Sequence, residues 1–108
     1  NIVRSTDNGS TWDNATSPTG NKLDGVGHGN NIFVAVGSYG NILRSTDNGT
    51  TWDNVTSPTA NYLNEITFGN NTFVAVGDGG NIVRSTDNGS TWDNITSGTS
   101  DFLKGITF

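Results

Sequence analysis

Few residues of this chain carry reactive or metal-binding groups, and the first candidates are carboxylates near its start. Asp7, Asn8 and Asp13 lie close together in sequence and suggest a loop that holds a metal ion. A calcium loop of the EF-hand type needs oxygen ligands at alternate positions over about twelve residues and a Glu at its end. This segment lacks them. We therefore predict no metal site and interpret the segment as a turn in which side chains hydrogen-bond to the backbone.

Glycoside hydrolysis is a second possibility, and it requires two carboxylates at a set separation. Glu65 is the only Glu of the chain, and the sequence pairs it with no partner. Tyr39 and Tyr62 are the only tyrosines on which such a reaction can draw. We therefore predict no catalytic residue, no cofactor and no enzymatic activity.

These residues belong to a chain that repeats itself at a fixed offset, with units that begin at Asn1, Asn41 and Asn81. Residues 41–80 match residues 1–40 at 27 of 40 positions, and residues 81–108 match residues 41–68 at 19 of 28. A fixed period of this length indicates a repeat architecture. The most constant segment, called the Asp turn below, spans residues 5–12, 45–52 and 85–92. Its structural residues are Ser5, Asp7, Gly9, Thr11 and Trp12; Ser45, Asp47, Gly49, Thr51 and Trp52; and Ser85, Asp87, Gly89, Thr91 and Trp92.

Each period predicts four short strands, here called A to D, and no helix. In one unit these are residues 63–68, 72–77, 81–86 and 91–96, separated by Asn- and Gly-rich turns that accept positive φ. No stretch shows the apolar period of a helix. Four antiparallel strands in a unit of about 40 residues are typical of a β-propeller blade. The fold class is therefore all-β, with about 2.7 blades per chain.

The blade boundaries follow from this pattern. Residues 1–16 are predicted to form strands C and D of a split blade, residues 22–56 and 62–96 two blades, and residues 102–108 the first strand of a further blade. A propeller of fewer than four blades does not close. We therefore expect both ends to be exposed and the ring to be completed by self-association or by further blades. A stable monomer at micromolar concentration would remove the self-association hypothesis.

The charge and composition of the chain limit which partners and which location are expected. The net charge is −5 and no basic patch exists, so nucleic acid is not an expected partner. No run of 18 apolar residues is present, which predicts no membrane-spanning helix. The chain has no Cys and is rich in Asn and Thr. This composition favours an extracytoplasmic location: secreted, at the cell surface or periplasmic.

The Asp turns resemble the Asp-box, or BNR repeat, of β-propellers, and the short units look most similar to the bacterial Ycf48-like and BNR group. All three copies carry Ser-x-Asp-x-Gly-x-Thr-Trp. The resemblance implies that each turn joins strands C and D and has a structural role, with its Trp packed between blades. The family includes sialidases, other glycosidases, sortilin-like receptors and photosystem II assembly factors, so the fold leaves the function open.

Three arginines suggest a sialidase as an alternative function. Arg4, Arg44 and Arg84 share one position on the third strand, and sialidases use an arginine cluster to bind a carboxylate. Identical blade positions form a ring rather than converge at the centre. We favour arginines whose stems pack between blades and whose heads meet a carboxylate or water. The chain also lacks the Arg-Ile-Pro motif of sialidases, and His28, at the position of Phe68, is interpreted as a core-edge substitution.

Differences between the repeats gather in the D–A loops and the B–C turns. In an up-and-down blade these connections share one face, where propellers usually bind ligands, but loops also drift when they are unconstrained. Both interpretations stay open. We expect a non-catalytic scaffold that binds protein or glycan; the alternatives are a fragment of a sialidase-like glycosidase and an engineered or repeat-derived fragment without ligand. The ligand-face candidates are Lys22, Asp24, Tyr39, Tyr62, Glu65, Asp78, Phe102 and Lys104.

Overall fold

A computed structural model describes all residues from 1 to 108. It contains ten strands, all paired antiparallel, and no helix longer than a single 3₁₀ turn. The strands are β1 (Ile2–Arg4), β2 (Asp13–Ala15), β3 (Leu23–Gly29), β4 (Ile32–Gly37), β5 (Ile42–Ser45), β6 (Asp53–Val55), β7 (Leu63–Gly69), β8 (Thr72–Gly77), β9 (Ile82–Ser85) and β10 (Asp93–Ile95). The 3₁₀ turns are Ser38–Gly40 and Asp78–Gly80.

The strands form one two-stranded and two four-stranded sheets. The hairpin β1–β2 stands alone, followed by a first blade with strand order β3-β4-β5-β6 and a second blade with order β7-β8-β9-β10. In each blade neighbouring strands are consecutive in the chain, which is the up-and-down pairing of a propeller blade. The predicted fold class is thereby confirmed: the chain is all-β and resembles part of a propeller.

Local chemistry explains the tight A–B turns. Asn30 and Asn31 join β3 to β4, and both have positive φ, at 52° and 62°. Asn70 and Asn71 repeat this between β7 and β8. A two-residue hairpin of the type I′ class requires positive φ at both positions, and Asn tolerates it better than most residues.

Two apolar layers hold the sheets together. The larger lies between the two blades and contains Val34, Val36 and Ile42 from the first blade and Phe73 and Trp92 from the second. A smaller layer, with Leu43 and Trp52 at its centre, lies between the first blade and the hairpin β1–β2. The fully apolar run of β4 is explained by this arrangement, because a strand with a layer on each side buries both of its faces.

The last segment differs from its prediction. Residues 102–108 are predicted as a strand, but the structure has no strand there, so ten strands replace the eleven expected. The Leu103 N–H donates to the Gly77 carbonyl at 3.0 Å, and the Phe108 ring lies over Gly69. The segment therefore lies beside the second blade, but no neighbouring strand within residues 1–108 pairs with it to form a ladder.

No helix of the structure has the length and apolar character needed to cross a membrane.

Candidate functional site

The two rims of the blades differ in chemistry, and each is named here for its connections. The turn face carries the A–B turns and the three Asp turns. The loop face carries the D–A loops and the B–C turns. On the loop face the two kinds of connection are tied together: the backbone N–H of Ser38 donates to Lys22 O, and that of Asp78 to Tyr62 O, both at 2.9 Å.

Each Asp turn satisfies its own polar groups. In the second copy the Asp47 carboxylate accepts the Ser45 hydroxyl and the Thr51 N–H, both at 2.9 Å, and also the Thr51 hydroxyl. The Trp52 Nε1–H donates to Gly49 O at 2.9 Å. The same bonds recur at nearly the same lengths in the other two copies.

These hydrogen bonds act on the charge of the carboxylate. The Thr51 hydroxyl and N–H, with the Ser45 hydroxyl, lower the pKa of Asp47 from 3.8 to about 2. The equivalent groups lower the pKa values of Asp7 and Asp87 to about 2 as well. Donors that bond the ionised form favour it, so the aspartates are structural anions with their oxygens already occupied. No three His, Asp or Glu side chains gather as a metal site anywhere in residues 1–108.

The arginines join neighbouring units through the turn face. Arg4 Nε donates to Asn48 O at 2.7 Å, and Arg44 Nε donates to Asn88 O at 2.8 Å. The Arg4 stem lies 3.5 Å from the position that a Cβ on Gly49 would take. The stems of Arg4 and Arg44 therefore pack between units as interpreted from the sequence, whereas Arg84 is exposed. The heads of Arg4 and Arg44 each donate to a backbone carbonyl of the next Asp turn, a partner that the sequence interpretation did not include.

The loop face presents two tyrosines side by side. The Tyr39 and Tyr62 rings meet edge to face with centroids 5.2 Å apart, and Tyr39 is 62% exposed. Tyr39 also has φ of 58°, in the left-handed region that a bulky residue rarely adopts. The second blade has Gly79 at this position, with φ of 71°. The first blade therefore places an aromatic ring where the backbone favours glycine.

Two acidic side chains, Asp24 and Asp78, lie near Tyr62. The Tyr39 hydroxyl, through hydrogen bonding and charge, raises the pKa of Tyr62, and the nearby Asp78 and Asp24 carboxylates raise it further. Lys22 Nζ lies 3.4 Å from Asp24 Oδ1. Five of the eight sequence candidates thus come together on one patch, called the tyrosine patch below. It consists of Lys22, Asp24, Tyr39, Tyr62 and Asp78.

The other three candidates lie apart from the tyrosine patch. Glu65 is exposed on β7, with its carboxylate beside Gly105. Phe102 is exposed at the equivalent of Tyr62, but Gly79 offers it no ring to pack against. Lys104 is exposed in the segment that follows. The repeat therefore produces one pair of tyrosine rings on the loop face, where the first blade meets the second, and no copy of it beyond the second blade.

Sequence reasoning missed one organising residue and one strained one. The Asn64 amide donates to Asp78 Oδ1 at 2.9 Å and to Leu103 O at 3.0 Å, which fixes the Asp78 carboxylate against residues 102–108. Asn64 is one of the positions that differ between repeats, but an amide at a variable position does not by itself indicate a bridge. The strain at Tyr39 had a clear signal, since Tyr39 aligns with Gly79 inside an otherwise glycine-rich turn.

The sheets and their order define the chain as part of a β-propeller, and comparison with known proteins gives the same fold. A solved structure described as "YCF48 bound to D1 peptide" matches with a TM-score of 0.71 at 22% identity. The match covers 88% of this chain and 33% of that one, so this chain spans about a third of its length. No family model and no curated protein matches the sequence.

Proposed function

We propose that this chain is a non-catalytic propeller scaffold that binds a protein segment on its loop face, at the tyrosine patch. The observation that carries the proposal is Tyr39, an exposed aromatic residue held at positive φ where the second blade has glycine. Backbone strain of this kind costs about 1–3 kcal/mol and clusters at binding and active sites. Tyr is also enriched among the residues that dominate protein interfaces.

The tyrosine patch has the chemistry of a protein contact. Tyrosine offers a rigid apolar ring and a polar hydroxyl, and here two rings stand beside the Asp24 and Asp78 carboxylates. The turn face offers no comparable carboxylate, because its aspartates are already bonded within each Asp turn. The similar fold of YCF48 in a structure that contains a D1 peptide supports a peptide as the kind of partner.

A binding assay with two matched variants tests the proposal. Fluorescently labelled peptides, including a D1 peptide, are titrated with the chain and followed by anisotropy. Tyr39→Gly places in the first blade the residue that the second blade already has. We expect it to weaken binding about tenfold or more, as the loss of a central aromatic contact does. Asn31→Gly, also at positive φ but on the turn face, should leave binding unchanged.

The opposite pattern of results would contradict the proposal. If Asn31→Gly abolished binding and Tyr39→Gly did not, the binding surface would be the turn face. A glycan array and a fluorogenic sialoside run with the same proteins test for glycan binding and for hydrolysis. If the chain bound glycans and no peptide, the partner would be a glycan instead of a protein. Turnover of the sialoside that Glu65→Gln removes would make the chain a sialidase-like enzyme.

The membership of the Asp-box family is part of the same proposal and rests on the three matching turns.

A further inference from the structure

The charge of the tyrosine patch leads to an inference about the chemistry of the partner, and this inference rests on the proposed function. Tyr39 and Tyr62 are 62% and 40% exposed, and their rings meet edge to face. The pair therefore has ring surface open to solvent. The face of an aromatic ring is its negative part, so it attracts a cation that lies over it.

The two carboxylates of the patch add to this negative surface. After the Tyr39 hydroxyl, which has the largest effect, the Asp78 and Asp24 carboxylates raise the pKa of Tyr62, so both charges act on one hydroxyl. Asp78 is half-buried, and its Oδ1 accepts the Asn64 amide at 2.9 Å. Its Oδ2 has no hydrogen-bond partner within residues 1–108 and is not buried, so a donor from outside the chain can reach it.

The cations of the chain leave the Asp78 charge uncompensated. Lys22 Nζ lies 3.4 Å from Asp24 Oδ1 and offsets that carboxylate, whereas Asp78 takes part in no ion pair. Arg4 and Arg44 are engaged elsewhere, since they donate to carbonyls on the turn face. The whole chain carries a net charge of −5, which attracts a positive partner at longer range.

Comparison of the repeats shows how this junction differs from the preceding one. Asp78 takes the place of Ser38, and Tyr62 takes the place of Lys22. A carboxylate and an aromatic ring thus replace a hydroxyl and an ammonium group. Both differences favour a bound cation over a bound anion.

We propose that the tyrosine patch binds a positively charged side chain of the partner segment, an arginine or a lysine, over its exposed rings and against the free oxygen of Asp78. A cation over an exposed ring and an ion pair near the surface each contribute modestly. They therefore select a basic residue in a segment that the aromatic contact holds. The proposed function alone requires no such preference, because it needs only a peptide that contacts Tyr39.

Two short peptides that differ in one charge test the inference. One is acetyl-Gly-Ala-Arg-Ala-Gly-amide, and the other has citrulline, which is neutral and nearly the same shape, in place of arginine. The chain has two tyrosines, so NMR of isotopically labelled tyrosine rings reports the patch alone. We expect the arginine peptide to shift these signals at millimolar concentration and the citrulline peptide to bind about fivefold or more weakly.

Variants of the chain assign the charge preference to the patch. Asp78→Asn removes the charge but keeps an oxygen that can accept from Asn64, and it should make the two peptides bind equally weakly. Asp53→Asn makes the same change in net charge at the start of β6, next to the Asp turn, and should bind as the unmodified chain does. Lys22→Gln, at an exposed position, removes a competing cation and should strengthen binding of the arginine peptide about twofold.

The outcomes separate this inference from the proposed function. If both peptides bound equally and Tyr39→Gly weakened both, the positive charge would be wrong and the tyrosine patch would remain a binding surface. If Tyr39→Gly left binding of the arginine peptide unchanged, as followed through Tyr62, both proposals would fail. Three further results would each overturn the inference alone: no shift with the arginine peptide, a preference for arginine that survives Asp78→Asn, or weaker binding after Lys22→Gln.

Discussion

The turn face and the loop face are built on the same strands but differ in what they leave free. On the turn face all three Asp turns repeat one set of hydrogen bonds, and Arg4 and Arg44 tie the second and third turns to the unit before each. On the loop face the repeated side-chain bonds come from constant residues, such as Ser57 to Thr59 O and Asn41 to Ser38 O. The variable positions there are linked through the backbone, from Ser38 to Lys22 and from Asp78 to Tyr62. Side chains at these variable positions are therefore free to differ, whereas those of the Asp turns are already used in folding.

The largest expected effect is on the turn face, at the tryptophan that ends each Asp turn. Trp92 is 6% exposed and packs in the layer between the blades. Trp92→Ala should lower the free energy of unfolding by about 3–5 kcal/mol, since it removes apolar contact and leaves a cavity. Urea denaturation followed by circular dichroism measures the change.

Trp12→Ala is the matched variant, because Trp12 ends an identical turn but is largely exposed. It should lower the free energy of unfolding by about 1 kcal/mol or less, mainly through the lost bond to Gly9 O. An equal cost for Trp12 and Trp92 would show that the open end of the hairpin is covered in solution. The comparison would then favour a self-associated ring.

The next expected effect is a pH dependence of the unfolding free energy, caused by an aspartate on the turn face. The pKa of Asp47 is about 2 in the folded chain, below its ordinary 3.8. A depressed folded pKa stabilises the chain above the unfolded pKa, and this stabilisation is lost as the pH falls from about 4 through about 2. Asp47→Asn should therefore flatten the decrease in unfolding free energy between about pH 4 and pH 2.

Asp53→Asn is the control for charge, because Asp53 is exposed on β6 and makes no hydrogen bond in the turn. Urea denaturation at several pH values compares the two variants. If both flattened the pH profile equally, the effect would come from net charge and not from the bonds that Thr51 and Ser45 make to Asp47.

Much of this fold is predictable from sequence because the turns and strands of each repeat depend on local residue preferences. Asn30 and Asn31 indicate the turn between β3 and β4 without any tertiary information, and the apolar run of β4 indicates a strand buried on both faces. Residues 102–108 carry the same strand pattern as residues 62–68. The structure has no strand there, because a ladder needs a hydrogen-bonded neighbour, and strand propensity alone supplies none.

The sequence predicted only the face of the blades on which the candidate site lies. Counting differences between repeats pointed to the loops, and five of the eight candidates come together there. The grouping itself depends on the 3₁₀ turn that carries Tyr39 and on the loop that carries Tyr62, which belong to different repeats. The bond from Asn64 to Asp78 is equally non-local. Side-chain pairs of this kind are set by tertiary geometry, which a repeat pattern does not encode.

The smallest expected effect on stability is at Tyr39, on the loop face. Tyr39→Gly relieves about 1–2 kcal/mol of left-handed strain. It also gives up about 0.5–1.5 kcal/mol from the Tyr39–Tyr62 pair, and about 0.4–1 kcal/mol because glycine loosens the unfolded chain. These terms nearly cancel, so thermal denaturation should show a free energy of unfolding within about 1 kcal/mol of the unmodified chain. A large loss of unfolding free energy would show that Tyr39 stabilises the fold, as the residues of the turn face do. The difference argued between the two faces would then not hold at Tyr39.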